Sequence, residues 1–230
     1  MENYSAVLWD MDGTLVDTEP YWMSAEIELM HSHGLDWDEE KGLLMVGNDL
    51  LTSARILIDH GLRMKDADIV DTLLDGVVAR VRRRVPFRPG ARELLAALGE
   101  AGIPCALVTM SYRRLAEAVV DACPAGSFRS LVTGDEVPAG KPDPAPYRIG
   151  AEAVGLEPGD CIALEDSVPG LASAEAAGTL AIGIPHLVPL QETPHRTLLP
   201  TLAGISPADL DELAASIRAS RQIAEPTTGG

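Results

Sequence analysis

The chain has 230 residues, 46% of them apolar, and carries 35 acidic against 18 basic side chains, a net charge of −17. That length allows one large domain, or a core with a smaller module. The acid excess argues against a nucleic acid or an anionic membrane surface as partner, since both are recognised through basic patches, and it is compatible with a bound cation. No apolar run approaches the roughly 20 residues of a membrane span, and no basic-then-apolar leader opens the sequence. The three cysteines, Cys105, Cys123 and Cys161, form no CxxC pair and read as free thiols. The expectation is a cytoplasmic protein, monomeric or weakly dimeric, with no nucleic-acid or membrane partner.

In chain order, Ala6-Val7-Leu8-Trp9 reads as a buried strand. It runs into Asp10-Met11-Asp12-Gly13-Thr14. The spacing of the two aspartates puts both carboxylates on one side of the chain, with Met11 pointing away. Gly13 can adopt a positive φ, so the chain can turn just past them. Asp12-Gly13 also fits an ordinary hairpin turn. A calcium-binding loop does not fit, because Leu15 and Tyr21 stand where that template needs Gly and Glu.

Beyond this the texture is helical. Thr18 is placed to cap a helix and Pro20 suits its first turn. Met23, Ile27 and Met30 recur at helical spacing until Gly34 stops the run. A short segment from Glu39 to Val46 ends at Gly47-Asn48. Leu50, Leu51, Ala54, Leu57 and Ile58 mark one further apolar face, and Ile69 to Val81 another. No strand pattern interrupts residues 18–85, so a helical insert is expected.

Pro86, Pro89 and Gly90 punctuate its end, and strands then alternate with helices. Helices are expected over 91–100, 112–122, 144–154, 168–177 and 207–219. Strands are expected at Pro104–Val108, Leu131-Val132, Cys161–Leu164 and Leu180–Ile182, with a weak edge strand at Leu202–Ile205. This pattern predicts an α/β fold, a doubly wound, Rossmann-like parallel sheet covered on both faces. The expected domains are an α/β core from 1–17 and 87–220, a helical cap over 18–86, and a disordered tail over 221–230.

In such sheets ligands bind beyond the carboxyl ends of the strands. The three clearest strands end in Asp10, Thr109 and Glu165-Asp166. Carboxylates from two strand ends form an all-oxygen site suited to Mg²⁺, which prefers few carboxylates, retained waters and phosphate oxygens. Thr109, the backbone after it at Met110, and Ser111 offer donors for phosphate oxygens. Lys141, in a loop stiffened by Pro142 and Pro144, supplies a point charge; the loop is not a Walker A loop, because Pro142 stands where Ser or Thr is required. Together these residues suggest phosphoryl transfer to a carboxylate. Asp10 would attack phosphorus, and Asp12 would protonate the leaving oxygen and then activate water.

At this point the sequence resembles the haloacid dehalogenase superfamily, in the phosphatase branch with a helical cap inserted after the first strand. Four motifs match in order: Asp10-Met11-Asp12-Gly13-Thr14, Thr109 after an apolar strand, Lys141-Pro142-Asp143-Pro144, and Glu165-Asp166-Ser167-Val168-Pro169-Gly170. The resemblance implies Asp10 as nucleophile and Asp12 as acid and base. It also implies Mg²⁺ held by Asp10, the backbone carbonyl of Asp12, and Asp166, with Glu165 acting directly or through water. Glu19 and Trp22, just past the first turn, either face substrate or pack the cap's first helix. Gly47-Asn48, where related caps carry a specificity loop, either touches substrate or is a plain turn. Arg80 and Arg82 to Arg84 read as a solvated helix end. The expected activity is Mg²⁺-dependent hydrolysis of a small phosphorylated metabolite, a sugar or polyol phosphate. The alternatives are a phosphomutase of the β-phosphoglucomutase type and a non-catalytic metabolite binder on the same fold. In the mutase relatives a histidine stands twelve residues beyond the nucleophile, where this chain has Trp22. Residues 18–86 hold 8 Lys and Arg against 13 Asp and Glu, a poor cradle for a second phosphate.

Overall fold

The computed structural model describes residues 3–45 and 49–224. The strands are β1 (Ala6–Trp9), β2 (Cys105–Val108), β3 (Ser130–Val132), β4 (Cys161–Glu165), β5 (Leu180–Gly183) and β6 (Arg196–Leu198). The helices are α1 (Glu19–Ser32), α2 (Glu39–Gly42), α3 (Leu50–Asp59), α4 (Asp66–Arg83), α5 (Ala91–Glu100), α6 (Arg113–Val120), α7 (Ala145–Ala153), α8 (Val168–Ala177) and α9 (Pro207–Ala224). The strands form one parallel sheet in the order β3-β2-β1-β4-β5-β6.

Alternate side chains of these strands feed two separate cores. Val7, Trp9, Leu107, Ile162, Leu164 and Ile182 meet α5, α6 and α9 on one face. Ala6, Leu8, Ala106, Val108, Ala163 and Ala181 meet α7 and α8 on the other. The second face is rich in alanine, which lets α7 lie close. A Cβ on Gly150 of α7 would stand only 2.7 Å from Val108. With both faces covered, the continuous apolar runs in the sequence need no polar alternation. Chain order reverses between β1 and β4, and that switch point opens a crevice at their carboxyl ends.

Between β1 and α5 the described chain is helical. α1 and α3 pack on α4, and α4 lies on α6, where Arg114 pairs with Asp75 at 2.9 Å. The two linkers joining this insert to the sheet run side by side. Val16 bridges Phe87, the Asp17 N–H donates to the Pro86 carbonyl at 2.8 Å, and the Arg88 N–H donates to the Leu15 carbonyl at 2.9 Å.

Three expectations change. Leu202–Ile205 is a turn, with Gly204 at φ +81°; the Leu202 carbonyl packs where a Cβ on Gly90 would come within 2.1 Å. The edge strand is instead β6, half-exposed and without an apolar run, whose Arg196 pairs with Glu175 of α8. Residues 221–224 are not tail but the last turn of α9, where the Arg221 guanidinium donates to the Gly178 carbonyl at 3.1 Å. Residues 225–230 lie outside the described residues, as do Val46 and Gly47-Asn48. Finally, the Thr18 side chain makes no cap bond to α1; its hydroxyl donates to the Asp12 carboxylate.

Candidate active site

Parallel register sets the site. Trp9 lies level with Leu107 and with Leu164, so the residues just past them, Asp10, Val108-Thr109 and Glu165-Asp166, converge at one edge of the sheet. Lys141 reaches into that edge and is almost fully buried. Its Nζ donates to Asp10 Oδ1 at 2.7 Å, to Glu165 Oε1 at 2.6 Å and to the Val108 carbonyl at 2.8 Å. Burial works against the ammonium charge, but Asp10 and Glu165 outweigh it and hold the group above the usual lysine range. Lys141 is therefore a fixed charge, not a solvated loop residue.

Glu165 is fully buried and saturated with donors. Oε1 accepts from Lys141 and from the Tyr147 hydroxyl at 2.8 Å; Oε2 accepts from the Asp166 and Ser167 N–H groups and the Ser167 hydroxyl. It sits under the start of α8, so close that a Cβ on Gly170 would fall 1.9 Å from its Oε1. Asp166 is aimed across the site at the first turn. A Cβ on Gly13 would lie 2.0 Å from Asp166 Oδ2, and Gly13 has φ +89°. Glycine is demanded there twice, by backbone conformation and by the carboxylate.

Asp10, Glu165 and Asp166 each place a carboxylate oxygen within 4.8 Å of the others. Burial pushes the Asp10 carboxyl well up, with Glu165 and Asp166 adding and Lys141 opposing. Asp166 is pushed up to about 7, by burial first and then by Glu165. Three crowded acids share one ammonium, and Asp10 Oδ2 is buried without a hydrogen-bond partner. With all three ionised the oxygen-rich site is short of two positive charges, which fits a hard divalent cation.

The Asp12 carboxylate is turned away from that group. It accepts from Ser111 Oγ at 2.7 Å, from Thr109 Oγ1 at 3.3 Å and from Thr18. The loop after β2 is pinned at Met110, whose sulfur accepts the Lys141 N–H at 3.3 Å. A cleft of about 370 Å³ opens from here toward α1 and α3. Glu19 and Trp22 line it together with Asp10, Asp12, Thr109, Met110, Ser111, Lys141 and Asp166. Gly47-Asn48 lies outside the described residues, between the lining residues Met45 and Asp49.

Some site residues escaped sequence reading. Ser167 stood inside a recognised motif and was legible as a helix cap. Tyr147 gave no signal, because its helical position reads as core. Glu26, Ser53 and His186 also line the cleft. His186 Nε2 lies 3.2 Å from Asp17, while Arg88 donates to its Nδ1 at 2.8 Å, so this histidine joins both linkers to the loop after β5.

The residues 4–178 match the family model described as haloacid dehalogenase-like hydrolase. The chain belongs to that family of hydrolases. It is 30% identical over 221 residues to hexitol phosphatase B of Escherichia coli O157:H7, covering 91% of this chain and 94% of that protein. CbbY from Rhodobacter sphaeroides in complex with phosphate superposes with a TM-score of 0.79 at 32% identity, over 90% of this chain and 99% of that one. The D10N mutant of that protein, in complex with xylulose-(1,5)bisphosphate, gives a TM-score of 0.79 at 31% identity with the same coverage. No helix among the described residues is long and apolar enough to cross a membrane.

Proposed function

We propose that this enzyme is a Mg²⁺-dependent phosphatase that hydrolyses a small sugar or polyol phosphate through an aspartyl-phosphate on Asp10. The observation that carries this reading is the state of the Asp10 carboxylate. One oxygen is held by Lys141, and the other is buried, unpartnered and set in the cleft. The names of the relatives support the substrate class.

Asp10 and Asp166, with the backbone carbonyl of Asp12, would hold Mg²⁺, which when bound supplies positive charge to the phosphoryl oxygens. Glu165 has both oxygens engaged and fits the role of orienting Lys141. Thr109, Ser111 and the Met110 N–H bind the transferring group, while Lys141 offsets its charge. Asp10 bonds to phosphorus as the ester oxygen leaves, and Asp12 gives that oxygen a proton. Asp12 then takes a proton from the water that attacks the aspartyl-phosphate, releasing phosphate and restoring Asp10. Residues 18–86 act as a cap that closes on the paired linkers and excludes water. Trp22 lines the cleft from the cap side, and its indole cannot relay a proton, which favours hydrolysis over return of the phosphoryl group to a second hydroxyl.

The test is phosphate release from a panel of phosphorylated metabolites, with an arm of β-glucose 1-phosphate plus a trace of the 1,6-bisphosphate. Sugar or polyol monophosphates should release phosphate. Accumulation of glucose 6-phosphate with little free phosphate would replace this reading with a mutase.

A further inference from the structure

We propose that Glu26 and Ser53 build a hydroxyl-binding subsite at the cap end of the cleft, which selects the monophosphate of a polyhydroxylated, uncharged alcohol and rejects a second phosphate. The inference rests on the phosphatase reading above and names the substrate it prefers.

Glu26, on α1, is only 4% exposed yet lines the cleft; the Trp37 indole lies near its carboxyl, but its Oε2 is buried without a partner at hydrogen-bond distance. Ser53, on α3, is 6% exposed and lines the same cleft, and among the described residues its hydroxyl has no hydrogen-bond partner. Two polar side chains from two helices are thus sunk in the wall with unused hydrogen-bonding capacity. Leaving such groups unmet is costly, so a ligand that meets them gains over one that does not. A hydroxyl both donates and accepts, and satisfies either group. Trp22, Leu50 and Leu73 line the same cleft as apolar walls for a carbon chain.

Charge excludes the alternative of a second phosphate. Among the described lining residues Lys141 is the one Lys or Arg, and it is committed to Asp10 and Glu165. The cap end instead presents Glu19, Glu26 and Asp49. Residues 46–48, between Met45 and Asp49, are Val, Gly and Asn, so the sequence brings no base there either. A distal phosphate would meet acidic groups and no free Lys or Arg among the described lining residues.

The experiment uses the full chain with Mg²⁺ and four probes: a hexitol 6-phosphate, its amino-sugar counterpart glucosamine 6-phosphate, xylulose 1,5-bisphosphate and p-nitrophenyl phosphate. The hexitol phosphate should exceed the bisphosphate in kcat/KM by about a hundredfold, the scale of an uncompensated like-charge contact. Glu26→Leu and Ser53→Ala should each lower kcat/KM for the hexitol phosphate about tenfold relative to that for p-nitrophenyl phosphate, mainly through KM, because only the former offers hydroxyls to the subsite. Neither variant should lower Tm, whereas a purely structural role would lower Tm and change both substrates by the same ratio. Equal or better use of the bisphosphate, a preference for the amino sugar, or variants that leave the hexitol-to-nitrophenyl ratio unchanged would each overturn the subsite. No phosphate from any probe, p-nitrophenyl phosphate included, would overturn the phosphatase reading itself.

Discussion

Lys141 touches three oxygens from three different segments, and two of them belong to carboxylates buried at the ends of β1 and β4. Removing charge at this point changes chemistry before it changes the fold. Asp10→Asn keeps the shape and removes the nucleophile, so turnover should fall by about 10³-fold or more while Tm moves by only a few degrees. A folded variant with near wild-type turnover would dismiss the covalent route. Other acids report on the pocket through stability. Burial first, and then neighbouring carboxylates, push Glu19 and Glu26 from 4.5 to about 7. The folded chain binds these protons more tightly than the unfolded chain does. The resulting stabilisation is full below pH 4.5 and is lost as pH rises through about 7. For Glu26 the loss is on the order of 3 kcal/mol. Metal-free protein should therefore show a Tm that falls from about pH 5 to pH 7.5, and Glu26→Leu should flatten that fall. An unchanged slope in the variant would show that Glu26 titrates normally.

At the scale of elements, α8 and the two linkers carry the site. Ser167 caps α8 by accepting from the Gly170 N–H at 3.1 Å, and its hydroxyl donates back to Glu165. The helix N-terminus thus rests on the carboxylate that orients Lys141. The linkers form a short ribbon at Val16 and Phe87, tied through Asp17, His186 and Arg88 to the loop after β5. A cap that opens must flex or break this ribbon, so its amides should exchange more slowly once the cap is held shut. With Mg²⁺ and a phosphate-like inhibitor, exchange at the Asp17 and Arg88 amides should slow about tenfold or more, and proteolysis near 16–18 and 85–89 should decline. If neither amide responds to the ligands, these linkers are not the hinges.

The whole molecule carries 35 acids against 18 bases, and three of those acids, Asp10, Glu165 and Asp166, cluster at the switch point of the sheet. A cation that binds only the folded chain stabilises it by about 2.7 kcal/mol at a hundred times its Kd. Chelated protein should lose turnover and several degrees of Tm, and Mg²⁺ should restore both. Ca²⁺ should restore Tm without turnover, since it accepts more ligands and looser geometry. Full turnover after exhaustive metal removal would refute the metal requirement.

The sequence by itself determined the strands that end in Asp10, Thr109 and Glu165, because an apolar run closed by a polar residue is a local pattern. It also determined that no strand pattern interrupts residues 18–85, and the turn at Gly13, each set by neighbours a few residues away. It misplaced the sheet edge, because β6 earns its place by pairing with β5 and by the Arg196–Glu175 contact, not by its own hydrophobicity. Only the tertiary structure decided what Lys141 does, since its partner Asp10 is 131 residues away and is reached through two strand crossovers. It likewise decided that Tyr147 and Ser167 would use up the oxygens of Glu165, and that Glu26 and Ser53 would face one cleft. Helical periodicity assigns a residue to a face, but which faces meet depends on how the insert folds back over the ends of the strands.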